Sequence, residues 1–330
     1  MKKSLAIVVL TWNDHVNTKK CIKSIYPQLN TKTKLILVDN NSENKVYNQT
    51  LNWIKKKYNK KFLKLNNTKN TKNIFSNKKN IFILKNKKNL GCGFGHNTGY
   101  RFALNNNFEF ISRIDNDMKI SNNFFKKLLK NFEDENVLGV SPKIMYSKSP
   151  NYIWWMGAKI GNSLKYQKHM RDYPYHLKDN KNIKGIVNTD AIAGCASIMR
   201  SSRLRKVGLS DPEFFYGPED VEFSRRIFSK PGSLIVDRDV KIYHSVTQSF
   251  INYSQRKTYY EYKYRLLLIK KIGSFYDKIF GYSISIIKFF LYCTLFFMKK
   301  HNFKIVPVYF AILHFFSNKL GSFDRNNKIF

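Results

Sequence analysis

Acidic residues are few in this chain: 22 Asp and Glu stand against 59 Lys and Arg, for a formal net charge of +37. Such a surface disfavours cationic partners and favours anionic ones: membrane headgroups, nucleic acid or nucleotide diphosphates. Lys, Asn and Ile recur even in plain loops, so part of the excess reflects coding bias. The four cysteines, Cys21, Cys92, Cys195 and Cys293, are isolated. Without a C-x-x-C pair they form neither a disulfide framework nor a zinc knuckle, and they fit a reducing compartment. A long apolar run is missing from the N-terminus. Only Leu5 to Leu10 is apolar there, which suits a first buried strand better than a secretory leader. The dinucleotide fingerprint G-x-G-x-x-G is also missing. Counted from Gly91 or Gly93, its sixth position falls on His96 or Thr98.

With 330 residues and 43% apolar content, the chain has room for one large α/β domain and an appendage. The runs Leu5–Leu10, Leu35–Val38 and Ile81–Leu84 have strand length and read as buried parallel strands. A helix is predicted from Asp14, as a possible N-cap, to Ile25 before Pro27, so the start reads as a right-handed βαβ unit. Ligands of such sheets bind beyond the carboxyl ends of the strands, where Thr11, Asn13 and Asp39 lie. Residues 44–80 read as a polar excursion with a short helix over Leu51–Tyr58. The glycine stretch from Asn89 to Gly99 opens a helix reaching Leu104. Its small residues let backbone approach either a ligand or a neighbouring element.

An apolar run, Phe108 to Ile114, ends on Asp115-Asn116-Asp117. Two carboxylates at alternate positions can face one site. They suit a hard divalent cation that clamps a diphosphate, or else a simple turn. A helix is predicted over Asn122–Phe132. Val137–Met145 reads as a strand, at an edge or bent because of Pro142. Residues 151–184, with Trp154, Trp155, Tyr166, Tyr173 and Tyr175, suggest an irregular hairpin or flap. The small residues Ala193 to Ser197 imply close backbone approach or a crowded core. A second acidic stretch, Pro218-Glu219-Asp220, reads as the first turn of a helix to Phe228. Its carboxylates either serve the helix dipole or include a general base for an acceptor hydroxyl. Val240–His244 is a short strand ending on a histidine that is able to complete a metal site with Asp117.

Together these pieces resemble the family 2 glycosyltransferases of the GT-A fold, in particular the bacterial rhamnosyl- and galactofuranosyltransferase-like group. The resemblance spans residues 4–250. It rests on the order of IVVLTWN, LILVDNNS, NLGCGFGHNTGYRFAL, RIDNDM, AGCASIMRSSRLRKVGLSDPEFFYGPEDVEFSRR and YHS. It implies an α/β GT-A fold, a Rossmann-like mixed sheet flanked by helices, over residues 1–250. Residues 251–330 would follow as a basic, aromatic helical tail. It also implies a metal-dependent, inverting hexosyl- or deoxyhexosyltransferase of cell-surface polysaccharide synthesis. The donor would be a nucleotide-diphosphate sugar, dTDP- or UDP-linked, and the acceptor a glycan, lipid-linked in view of the tail. By that resemblance Thr11, Asn13, Asp39, Asn89, Gly91, Asn97 and Asp115 bind the nucleotide-sugar. Asp115, Asp117 and His244 hold Mn²⁺ or Mg²⁺. Asp220 is the catalytic base and Glu219 its acceptor-side neighbour. The Q-x-x-R-W motif of processive synthases is absent, which favours transfer of one or a few sugars. A nucleotidyltransferase or another nucleotide-sugar enzyme on the same fold is the alternative. A nucleic-acid-binding role is disfavoured, since acid at the strand ends repels phosphate and no RNA-binding or zinc signature is present.

The tail contains a helix over Tyr253–Lys271, an apolar stretch Ile279–Met298 interrupted by Lys288, and a shorter one over Ile305–Ser317. The stretches suit helices lying on an anionic membrane surface at the cytoplasmic side of a bacterial inner membrane, aromatics down and lysines toward headgroups. A helical pair packed on the catalytic domain, or an oligomer contact, is the alternative.

Overall fold

The computed structural model describes residues 3–65, 74–75, 78–160, 177–227, 232–245, 255–297 and 305–321. Its first strand, β1 (Leu5–Thr11), is buried along nearly its whole length, as its unbroken apolar sequence requires of a strand covered on both faces. Helix α1 (His15–Ile25) follows, capped by Asp14, whose carboxylate accepts from the Asn17 N–H. Next come β2 (Thr33–Asp39), α2 (Asn44–Tyr58), β3 (Phe62–Lys64), β4 (Ile81–Lys85), α3 (Cys92–Asn105) and β5 (Phe110–Asp115). Then follow β6 (Met118–Ile120), α4 (Phe124–Lys130), β7 (Gly139–Tyr146), β8 (Tyr152–Trp155), β9 (Leu177–Lys178), β10 (Ile186–Asn188) and β11 (Ala196–Arg200). The remaining elements are α5 (Ser201–Val207), α6 (Glu219–Ile227), β12 (Leu234–His244), α7 (Gln255–Ile272), α8 (Phe275–Phe297) and α9 (Ile305–Phe316).

Among the described residues the strands form one mixed sheet, ordered β10-β12-β7-β11-β5-β1-β2-β4-β3, with β6 paired to β12, and β8 to β7 and β9. The half built from β5, β1, β2, β4 and β3 is parallel. Strand β11 is antiparallel to both β5 and β7. One apolar cluster lies on each face of the sheet, with α1, α2 and α4 covering one side and α3, α5 and α6 the other.

Several sequence expectations change in detail. Helix α2 begins at Asn44 rather than near Leu51, because Tyr47, Leu51 and Ile54 bury one face at helical spacing. The helix expected over Asn122–Phe132 is shorter, Phe124–Lys130 followed by a 3-10 turn. Strand β7 is interior, not an edge. It accommodates Pro142 because the pairing of β12 bulges there, between Asp237 and Lys241, and because β11 has by then left its other side. The hairpin expected near residues 151–184 is present as β8 and β9. Tyr166, Tyr173 and Tyr175 lie outside the described residues, as do Phe228, Tyr253 and Met298 at the expected helix ends.

Helix α7 packs on the segment that carries Phe214 and Val221. Tyr259, Tyr260, Tyr264, Leu266 and Leu267 share one buried cluster with Phe214, Val221 and, from α9, Ala311 and Phe315. The chain is therefore continuous in packing across residue 250.

Candidate active site

Strand β5 ends on Asp115, in register with Leu10 of β1, and the Asp115 N–H is held by the Cys195 carbonyl at 2.9 Å. The chain turns at Asn116 and re-enters the sheet as β6. The β6–β12 pairing sets His244 against Met118, which delivers the His244 ring to Asp117, Nε2 to Oδ2 at 3.2 Å. Trp154 of β8 packs edge-on against that ring, with centroids 4.7 Å apart. The structure thus brings Asp117 and His244 together across more than a hundred residues, and Asp115 ends β5 two residues before Asp117.

One carboxylate oxygen each of Asp115 and Asp117, both Oδ1, is buried with no hydrogen-bond partner. Burial and the neighbouring Asp117 charge raise the Asp115 pKa to about 6, against the lowering influence of Arg113 and His244. Facing Asp115 at 3.6 Å is Nε2 of the fully buried His96, whose Nδ1 is 2.9 Å from the Cys92 carbonyl. A carbonyl only accepts, so Nδ1 carries the proton and Nε2 presents a lone pair. Unpaired carboxylate oxygens beside an imidazole fit a divalent cation held by Asp115, Asp117 and His244. A different grouping, Cys92, His96 and Asp115, has its ligand atoms within 4.8 Å of one another. It does not suit a cation. Arg113 Nη2 already donates to Cys92 Sγ at 3.0 Å, and burial pushes the thiol pKa well up.

The second acidic stretch opens α6. Glu219 is buried and paired with Arg113, Nη2 to Oε1 at 3.0 Å, which secures the helix start; its Oε2 is buried with no hydrogen-bond partner. Asp220 accepts from the Gly194 N–H at 3.3 Å through Oδ2, while its buried Oδ1 has no partner. Burial, with the Glu219 charge, raises its pKa to about 7; Arg113 and the backbone N–H groups of Gly194 and Val221 oppose that rise. A carboxyl poised near neutrality with one free oxygen is able to take a proton.

Glycines make this closeness possible. A Cβ on Gly93 would lie 2.8 Å from Glu219 Cγ, and one on Gly194 2.9 Å from Asp220 Oδ2. Gly91, at φ +82°, would drive a Cβ to 2.1 Å from the Phe215 carbonyl oxygen. The glycine stretch therefore admits a neighbouring segment, the loop carrying Glu219 and Asp220, which was one of its two readings.

The remaining expected binding residues are placed as follows. Thr11 and Asp39 are adjacent strand partners at the sheet's carboxyl edge, and both are buried. Thr11 Oγ1 bonds to Thr18 Oγ1 at 2.6 Å, and Asp39 accepts from the Ser42 N–H at 3.0 Å. Burial raises the Asp39 pKa against the Ser42 hydrogen bonds. Asn13, at φ +50°, holds the same loop by accepting from the Glu43 N–H at 2.8 Å. Asn89 accepts from the Gly91 N–H at 2.9 Å and from Asn40 Nδ2 at 2.9 Å. Asn97 is buried and both ends of its amide bind the backbone of Ser210, at 2.7 and 3.1 Å, so it clamps α3 to the loop before α6.

Sequence reasoning missed the roles of Arg113 and Asn40, while Gly194 lies in the small-residue stretch read as close backbone approach. Arg113 lies two residues before Asp115, on the same face of β5; that spacing was the available signal. Asn40 ties Asn86, Asn89, Leu90 and Gly91 together through four hydrogen bonds. It stood unremarked in the polar run after β2.

The profile of glycosyl transferase family 2 matches residues 6–204, more than half of the chain. The chain belongs to glycosyl transferase family 2. The chain is 22% identical over 192 residues to the dTDP-rhamnosyl transferase RfbF of Shigella flexneri, and the match spans 56% of this chain and 61% of the relative. In structure it resembles GalNAc-T7 with UDP, GalNAc and Mn²⁺ (TM-score 0.55, 15% identity, 73% of this chain and 44% of that one). It also resembles S. aureus TarS 1-349 in complex with UDP-GlcNAc (TM-score 0.50, 15% identity, 83% of this chain and 69% of that one). The transferase has the mixed α/β sheet and flanking helices of the GT-A fold.

Proposed function

We propose that the transferase moves one or a few sugars from a dTDP- or UDP-linked donor to a hydroxyl of a lipid-linked glycan, with inversion. We assign it to the cytoplasmic side of the cell membrane in surface-polysaccharide synthesis. The observation that carries this reading is Asp220, whose buried Oδ1 is free while Oδ2 is fixed by the Gly194 N–H. The relative named as a dTDP-rhamnosyl transferase favours a dTDP-deoxyhexose among possible donors.

Asp220 Oδ1 takes the proton of the acceptor hydroxyl. The acceptor oxygen forms its bond to the anomeric carbon on one side while the bond to the diphosphate oxygen breaks on the other. The diphosphate leaves with the electron pair, and the configuration inverts. Asp115, Asp117 and His244 are the residues that would hold Mn²⁺ or Mg²⁺, which supplies positive charge for the departing diphosphate. Thr11, Asn13 and Asp39 shape the loop at the carboxyl ends of β1 and β2, where a nucleoside would lie. Arg113 keeps both acidic stretches in place.

The test is thermal stability of the purified chain with UDP, dTDP, GDP and CDP, each with Mn²⁺ or with a chelator. A nucleotide at about 100 times its dissociation constant should stabilise by about 2.7 kcal/mol. One nucleoside diphosphate should shift the transition, and the shift should vanish with chelator and in Asp117→Ala. If no nucleotide shifts it with metal present, the donor reading fails.

A further inference from the structure

Helix α8 is amphipathic the wrong way round for a water-facing helix. It buries Asp277 and Ser285 and exposes apolar side chains. Asp277 closes a capping box with Ser274, Oδ2 accepting from the Ser274 N–H at 2.9 Å and Ser274 Oγ accepting from the Asp277 N–H at 3.2 Å. The exposed row runs at helical spacing through Tyr276, Ile279, Phe280, Ile287, Phe290 and Leu291; Ile287 is 64% exposed and Phe290 61%. Helix α9 repeats the pattern. It buries Ala311 and Phe315 against α7 and exposes Tyr309, Leu313 and Phe316. Ring contacts Phe289–Tyr309 and Tyr282–Phe316, both with centroids 6.0 Å apart, set the two helices side by side. An apolar face of this extent, on a chain of net charge +37, needs a partner that is apolar beneath and anionic above.

We propose that α8 and α9 dock in plane on one leaflet of an anionic bilayer, as a two-helix foot for the catalytic domain. Helix α8 has the length and composition to cross a membrane over Phe275–Leu295. Its contacts with α7 oppose crossing. Ile269 fills the groove at Gly281, where a Cβ would lie 2.6 Å from Ile269 Cδ1, and the Tyr262 and Tyr292 hydroxyls bond at 3.0 Å. Helix α8 is thus held along α7, which carries Arg256, Lys257, Glu261, Arg265 and Lys270. A crossing α8 would draw those charges into hydrocarbon.

The foot is tied to the chemistry. Helix α7 grips the loop before Asp220 from both ends. Lys271 bridges Asp211 and Glu213 at 2.6 and 2.7 Å, and Tyr260 stacks on Phe215 with centroids 5.4 Å apart. At the other side Lys263 donates to the carbonyls of Lys319 and Gly321, 3.1 and 3.2 Å away, which fastens the end of α9 to α7. Docking therefore fixes the Asp220 loop relative to the leaflet from which a lipid-linked acceptor would be presented. This deepens the proposed acceptor, but the surface itself requires no donor.

The experiment is flotation of the full chain with extruded vesicles, in the absence of nucleotide, so its failure leaves the donor reading standing. Vesicles of phosphatidylcholine with 30% phosphatidylglycerol are compared with phosphatidylcholine alone. The chain should float with the anionic vesicles at least tenfold better, and 0.5 M salt should release most of it. The double variant Ile287→Asp, Phe290→Asp should lose at least tenfold in binding while keeping the wild-type circular dichroism and nucleotide-induced melting shift. Equal flotation of that variant overturns the proposal. So does a dimer in solution that the variant dissolves while wild type ignores vesicles, because the face would then be covered by a second copy. Retention of the wild type in cell membranes after alkaline carbonate extraction overturns the in-plane arrangement in favour of a span.

Discussion

Arg113 and Glu219, 106 positions apart in the chain, meet at 3.0 Å in the protein interior. The same guanidinium lies 3.9 Å from Asp115 Oδ1. A single buried cation thus joins the carboxylates at the end of β5 to those at the start of α6. Removing one partner of a buried pair costs far more than removing both, because a charge is left uncompensated. Arg113→Met should therefore destabilise the chain by about 3–5 kcal/mol in denaturant unfolding. Glu219→Gln in the same chain should restore part of the loss. Arg113→Lys should not substitute, since one ammonium cannot span Glu219, Cys92 and Asp115 as the planar fork does.

Asp220→Asn tests the base and the strain of keeping it. Transfer should fall by about 10²- to 10⁴-fold, with nucleotide affinity nearly unchanged. The variant should also melt higher than wild type at pH 8, because a buried carboxylate with one unsatisfied oxygen is replaced by a neutral amide. Transfer assays and melting curves on the same preparation read both effects. Undiminished transfer would remove Asp220 from the reaction.

The pH dependence follows from the same group. Its folded pKa, about 7, lies above the usual carboxylate range. Transfer should rise as pH passes through about 7 and the base ionises. Stability should move the other way. Between the unfolded and folded pKa the native state holds the extra proton, so Asp220's contribution is full below the carboxylate range and is lost as pH rises through 7. Chemical denaturation at pH 5 and pH 8 should show this loss in wild type and a smaller one in Asp220→Asn.

Gly194→Ala addresses position rather than chemistry. Its methyl group would lie 2.9–3.2 Å from three atoms of Asp220, which must turn away. An off-rotamer carboxylate costs about 0.5–1.5 kcal/mol, so kcat should drop about two- to tenfold with donor affinity unchanged. Steady-state kinetics with varied donor separate the two. An increase in donor KM alone would place Gly194 on the nucleotide side instead.

Much of the architecture was legible because local pattern and burial agree. The first strand is apolar from Leu5 to Leu10 and ends on the polar Thr11 at the sheet's carboxyl edge. Pro142 misled because its tolerance depends on a bulge in β12, a strand nearly a hundred residues later. The clamp that Asn97 makes was not legible, because its amide partner, Ser210, is supplied by a distant segment. The acidic turns at 115–117 and 219–220 were visible as types and spacings. Their division of labour was not. Glu219 and Asp220 are neighbours in one helical turn, yet one faces Arg113 and the other Gly194.

The amino-acid sequence alone determined the alternation of apolar runs with polar strand ends, the glycines where backbones touch, the excess of positive charge and the apolar stretches of the tail. These are properties of residue type and spacing, which local geometry converts directly into strands, helices and turns. Only the tertiary structure decided which carboxylate oxygens are buried without a hydrogen-bond partner, which cation compensates Glu219, and which face of α8 remains uncovered. Those outcomes depend on what other segments bring to each side chain. Desolvation and pairing act over a few ångströms in space, however far apart the partners lie along the chain.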